Sequence, residues 1–154
     1  YAFLWTVAPN WPPPDWAVAD LRMVGIAAFG ALVGPLGIRL ATARLDRGKG
    51  AGPGLVLALL GAAGLMVGAL SGPLALPDPA RHAYDATVWV IGGYALFHAA
   101  LAALMAGFVL ARSAAGFVSA RRQGEVRIVR LWIDYAAVIT LVGLAATFAP
   151  PVLR

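Results

Sequence analysis

The sequence predicts an all-α membrane protein with four transmembrane helices, both termini outside and basic loops in the cytoplasm. Three observations predict it. First, 61% of the 154 residues are hydrophobic and only 12% are charged, whereas soluble domains carry about 25% charged and about 45–50% apolar residues. So few charges do not coat a globule of this size in water, and so apolar a chain is not a disordered one. Second, the apolar residues fall into four runs, each near the roughly 20 helical residues that cross a hydrocarbon core about 30 Å thick. Third, the charges lie between the runs and are strongly sided.

The first run covers 17–43, with an uncharged heart from Met23 to Ile38. The second, 54–76, holds no charge. The third, 86–111, has His98 as its one group titrating near neutrality, and the fourth, 131–148, carries Asp134 near its start. Helices are required because backbone polar groups in lipid must be satisfied within the segment. A barrel needs many segments of about ten residues with alternating polarity, and the runs show none. Residues 17–152 therefore read as one four-helix bundle. Residues 1–16 read as a Pro/Trp-rich extracytoplasmic segment, in which Pro12, Pro13 and Pro14 stop a helix and Trp5, Trp11 and Trp16 suit the membrane interface. The chain begins at Tyr1 without a Met or the basic start of a signal peptide, as a segment of a longer fused or processed polypeptide would.

Charge sets the orientation. Arg39, Arg44, Arg47 and Lys49 lie at the first connection, and Arg112, Arg121, Arg122, Arg127 and Arg130 at the third, together nine of the twelve basic residues. Asp15, Asp20, Asp78 and Asp85 are on the opposite side. Short basic loops stay in the cytoplasm, so both termini and the second connection of this multi-pass chain are expected outside. The same arginines abut membrane spans, where they contact anionic lipid head groups; they do not form the stripe with interleaved stacking aromatics that binds nucleic acid. The absence of Cys excludes a disulfide framework, a thiolate zinc site and a cysteine-held iron–sulfur cluster.

Lipid supplies no hydrophobic force between helices, so small residues must let the backbones approach. Gly61, Gly64, Gly68 and Gly72 form one stripe on the second run; Gly30, Gly34 and Gly37 lie on the first, with Pro35 expected to kink it; Gly92, Ala95, Ala99, Ala103 and Ala106 lie on the third. These stripes serve packing within the bundle or against a different subunit.

Ionisable groups inside a membrane are the first place to look for function. His98 lies mid-span, bonded to a carbonyl or hydroxyl, or acting as a proton carrier or partner contact. The other histidine, His82, is about 24 Å away along a helix rising 1.5 Å per residue, too far for both to grip one haem. Asp134 has Arg130 four positions earlier, spaced for a pair on one helix face or for a carboxylate at the mouth of a proton path. There is no Gly-rich phosphate loop, no nucleophile with a base and no metal-ligand cluster. No residue qualifies as catalytic, cofactor-binding or metal-binding. The candidate positions are His98, Asp134 and Arg130 for polar contacts and Gly64, Gly68 and Gly72 for packing. An accessory subunit, a small transporter or channel, and a membrane anchor of another respiratory or photosynthetic complex all fit this pattern.

The run Ala83-Tyr84-Asp85-Ala86-Thr87-Val88-Trp89, followed by Phe97-His98-Ala99, resembles the C-terminal half of cytochrome c oxidase subunit III, in the form fused behind subunit I in some bacteria. That family has an Ala-Tyr-Gly-x-Thr stretch entering a helix with a His, then a basic inner loop and a last helix opening on Trp-His-Phe. Here Trp132-Ile133-Asp134-Tyr135 stands at the last position. The resemblance covers residues 18–152 and is most specific over about the last 70, by this alignment of helical spans. It implies a subunit of a respiratory terminal oxidase without cofactors of its own, the haem and copper being in partner subunits. Such a subunit packs on the haem–copper catalytic subunit, binds membrane lipids and supports proton uptake. The second run lacks the family's helix acid, Ala95 stands where a His is common, and Asp134 replaces the last-helix His. These departures remove titratable groups and leave packing and lipid binding as the larger share of the implied role.

Overall fold

A computed structural model of the chain describes residues 2–7, 11, 20–76 and 78–152, the side chains of 2, 4, 5 and 149–152 excepted. Six helices follow in order: α1 (Ala2–Val7), α2 (Leu21–Asp46), α3 (Gly52–Ala69), α4 (Ser71–Ala75), α5 (Ala83–Ala114) and α6 (Gly124–Val152). Four stretches are long and apolar enough to cross a membrane: α2, α3 continued by α4, α5, and α6 up to Phe148. The protein is an all-helical, multi-pass membrane protein.

The helices exceed the apolar runs. α2 continues to Asp46 beyond the expected end at 43, α5 spans Ala83–Ala114 where 86–111 was expected, and α6 begins at Gly124, before Leu131. Composition marks where lipid contact ends, whereas the hydrogen-bond ladder continues into the polar boundary. The second span is one unit by length but turns at Leu70, whose amide bonds to the Met66 carbonyl. Residues 17–19 of the expected first span lie outside the described residues. In the 1–16 segment, Ala2–Val7 are helical; Pro12–Pro14 and Trp16, and the Trp5 side chain, lie outside the described residues. Trp11, expected at the lipid interface, is instead buried, edge-on to Tyr84 at 5.3 Å and beside His82 at 5.8 Å. Its ring finds apolar cover at the head of α5.

Local chemistry sets the ends. Asp20 caps α2 by accepting from the Arg22 amide at 2.9 Å, and His82 caps α5 through Nδ1, accepting from the Tyr84 amide at 3.0 Å. α2 and α5 stop in the same way. Gly48 and Gly116 take positive φ, 69° and 80°, and the next amides, of Lys49 and Phe117, reach back to the carbonyls of Arg44 and Arg112. This 6→1 closure suits a residue without Cβ. α2 runs through Pro35 as one helix.

Neighbouring spans run antiparallel. Gln123 Nε2 donates to Asp46 Oδ1 at 3.2 Å, so the two arginine-bearing connections share one end. Tyr84 Oη donates to the Thr147 carbonyl at 3.0 Å, so the start of α5 meets the end of α6 at the other. Thr147 is four residues before Pro151, which has no amide hydrogen to complete the helical bond. The core between these ends combines Ile38, Leu55, Leu65, Val126, Val129 and Ile133 with alanines of α2, α3, α5 and α6.

The glycine stripes pack within the chain. A Cβ on Gly61 would collide with the backbone of Gly34, and one on Gly30 would come within 2.6 Å of the Gly61 carbonyl oxygen. Gly64 lies over Gly30 and Ile26, and Gly68 over Ala27. Gly72 leaves this seam and meets Val88 of α5. The α2–α3 seam is therefore a backbone-to-backbone contact, which holds helices together where dispersion replaces the hydrophobic effect.

Candidate functional site

The polar groups within the spans gather along α6. Arg39, on α2, reaches across to Asp134: Nη1 donates to Oδ1 at 2.9 Å and Nη2 to Oδ2 at 3.1 Å. The guanidinium is further fixed by the Pro35 carbonyl, to which Nη1 donates at 2.9 Å. Two parallel charge-assisted bonds form the strong geometry for an Arg–carboxylate pair. The pair expected from i,i+4 spacing, Arg130–Asp134, is also present but looser, with Nε 3.8 Å from Oδ2. Asp134 is thus the anchor between α2 and α6, shared by two arginines.

On the other flank of α6, four rings meet. His98, midway along α5, presents Nδ1 to the Tyr94 carbonyl at 2.8 Å. A carbonyl accepts, so Nδ1 carries the hydrogen. The His98 ring is nearly parallel to Trp132, 18° between planes at 6.0 Å, and lies edge-on to Tyr135 at 5.2 Å. Tyr94 and Tyr135 join their hydroxyls at 2.5 Å. His98, Leu131, Trp132 and Tyr135 enclose a groove of about 340 Å³ on the outer surface. Towards the arginine-bearing end, Leu104, Met105, Phe108 and Ile128 line a second groove of about 430 Å³. Arg112 stands over its end, bonded to Glu125 at 2.9 Å and facing the rings of Phe108 and Phe117.

At the far end, Asp85 is buried in the first turn of α5, where the helix dipole favours an acid. Its Oδ2 accepts from Arg81 Nε at 2.8 Å, and its Oδ1 is buried without a hydrogen-bond partner among the described residues. The two histidines lie 16 positions apart on one chain segment, His82 with Nδ1 in the α5 cap and His98 with Nδ1 on the Tyr94 carbonyl. Among the described residues, no group of three or more His, Cys, Asp or Glu converges.

The candidate positions thus divide. His98, Asp134 and Arg130 flank the exposed α6 residues Leu131, Tyr135 and Val138, whereas Gly64 and Gly68 lie in the α2–α3 seam and Gly72 against α5. Three participants escaped the sequence reading. Arg39 passes for a loop charge because it directly follows the apolar heart ending at Ile38. Its visible signal is that Arg39 and Asp134 each intrude into an apolar run. Tyr94 and Asp85 gave no signal beyond ordinary aromatic and helix-start residues. No family model matches this chain, and comparison with curated proteins and with solved structures found no match.

Proposed function

We propose that this chain is a non-catalytic accessory subunit of a respiratory terminal oxidase, packed on the haem–copper catalytic subunit in a bacterial cytoplasmic membrane. Its arginine-bearing end faces the cytoplasm, by the rule that short basic loops remain inside. It stabilises the complex, binds lipid along its apolar faces and supports proton uptake by the catalytic subunit. Haem and copper belong to that partner.

One observation carries the reading. The two stretches that resemble subunit III meet in space: Tyr84, in the first, ties the start of α5 to the end of α6 through the Thr147 carbonyl, and His98 lies parallel to Trp132 and edge-on to Tyr135 of the second. Residues that make the resemblance are therefore residues that join these two helices. Asp134, held by Arg39 and Arg130, acts as a structural anchor under this reading, with proton traffic left to the partner.

The test is purification of the tagged chain from native membranes in mild detergent, followed by a reduced-minus-oxidised spectrum and a mass-spectrometric inventory. Haem-containing oxidase subunits in constant ratio to the chain are expected. A preparation with no haem signal and no oxidase subunit contradicts the proposal. Solute flux through liposomes holding the chain alone, abolished by His98→Ala or Asp134→Asn, points instead to a transporter.

A further inference from the structure

We infer that the exposed strip of α6 is the docking face for one membrane-spanning helix of a different polypeptide, and that this helix brings a hydrogen-bond donor to His98 and a carboxylate to Arg39 and Arg130. The inference rests on the accessory-subunit reading only in requiring a partner; it adds where the partner sits and what it presents.

The strip is formed by Leu131, Tyr135, Val138 and Val142, spaced at three and four residues and all exposed. A polar demand that hydrocarbon cannot meet lies on each side. On the α5 side is His98. With Nδ1–H given to the Tyr94 carbonyl, the neutral ring has Nε2 as a bare acceptor, and no described residue donates to it. An acceptor left without a donor in lipid costs free energy. On the α2 side, Arg39 and Arg130 share the single carboxylate of Asp134, leaving one net positive charge on side chains 45% and 46% exposed.

The choice of occupant follows. Acyl chains answer neither demand. A lipid phosphate answers the arginines but provides no donor at the depth of His98, which is midway along α5. A helix crossing the bilayer supplies groups at both depths, and its side chains fit the grooves of about 340 and 430 Å³ that follow the α5–α6 seam. The exposed face of α3 offers a contrast within the same molecule: Val56, Leu57, Leu60 and Ala63 carry no polar group, as a face covered by lipid requires.

The experiment places a photo-crosslinking residue at Leu131, Val138 or Leu60 in the full chain expressed in its native membrane. Leu131 and Val138 are expected to cross-link to one membrane-spanning segment of another polypeptide, and Leu60 to lipid. In the Val138 background, His98→Phe keeps a flat ring but removes the acceptor, and lowers the cross-linked yield by about 3- to 10-fold, the range of one interhelical hydrogen bond in a membrane. His98→Gln, which restores an acceptor, recovers most of it, with the amount of chain in the membrane as the control for folding. Cross-links from Leu131 and Val138 to lipid alone, to a second copy of this chain, or to protein no more often than from Leu60 overturn the inference. So does a His98→Phe yield equal to the parent's. A cross-linked partner outside any haem protein keeps the docking face and removes the oxidase reading. An oxidase that co-purifies while the strip labels only lipid does the reverse.

Discussion

Arg39 and Asp134, 95 positions apart, hold α2 against α6 through two hydrogen bonds of 2.9 and 3.1 Å. The pair is partly exposed at the edge of the membrane-spanning region, where neither charge has full access to water, so losing one partner leaves the other poorly solvated. Reversing either charge alone lowers the amount of assembled protein in the membrane. The double exchange Arg39→Asp with Asp134→Arg restores it, with a coupling of about 1 kcal/mol or more, as for a bidentate pair. The exchange of Arg130 with Asp134 restores less, because that contact is 3.8 Å and not bidentate. Band intensity of the folded species in mild-detergent gels measures both cycles.

Gly61 tests the α2–α3 seam. A methyl group there meets the backbone of Gly34, which does not yield as a side chain does. Gly61→Ala therefore separates the helices and destabilises by about 1–3 kcal/mol, the usual range for overpacking. Gly93→Ala, on α5 with nothing within 4 Å of the added carbon, leaves stability unchanged or slightly raised, since it removes only glycine's backbone freedom. Thermal shift in detergent separates the two.

Tyr84→Phe removes the donor to the Thr147 carbonyl at a fully buried position. The variant loses about 1–2 kcal/mol, the usual cost of deleting one buried hydrogen bond. Protease sensitivity confined to the Thr147 end of α6 is the expected signature, read by limited proteolysis and mass spectrometry.

Thr140→Val is expected to move stability the other way. Thr140 is 1% exposed and its hydroxyl is buried without a partner among the described residues. Replacing it by an isosteric methyl removes an unsatisfied polar group and raises the melting temperature or leaves it unchanged. A clear drop shows that the hydroxyl bonds to a water held between the helices.

The four spans were legible in the sequence because bilayer thickness imposes a length and lipid imposes a composition. Their ends were not: Gly124 to Arg130 are helical although three of the seven are charged, since amide bonding continues wherever cap and turn chemistry permit. Glycine spacing revealed that helices approach closely, and the paired stripes of Gly30–Gly34 and Gly61–Gly64 became one seam. The Arg130–Asp134 spacing was visible because it lies within one turn. Arg39 was hidden because a contact across 95 residues leaves no local period. His98 was visible as a lone intramembrane imidazole, whereas its Trp132 and Tyr135 neighbours passed for interfacial aromatics.

Four oily helices crossing a bilayer with their arginine-bearing connections inward are the arrangement from which the proposed role follows. Because the chain has no Cys, single cysteines at Lys49, Ala80 and Ala120 report sidedness without background. A membrane-impermeant maleimide applied to spheroplasts is predicted to label Ala80→Cys alone, and to reach Lys49→Cys and Ala120→Cys only after the membrane is opened. Labelling of Lys49→Cys or Ala120→Cys with the membrane sealed contradicts it.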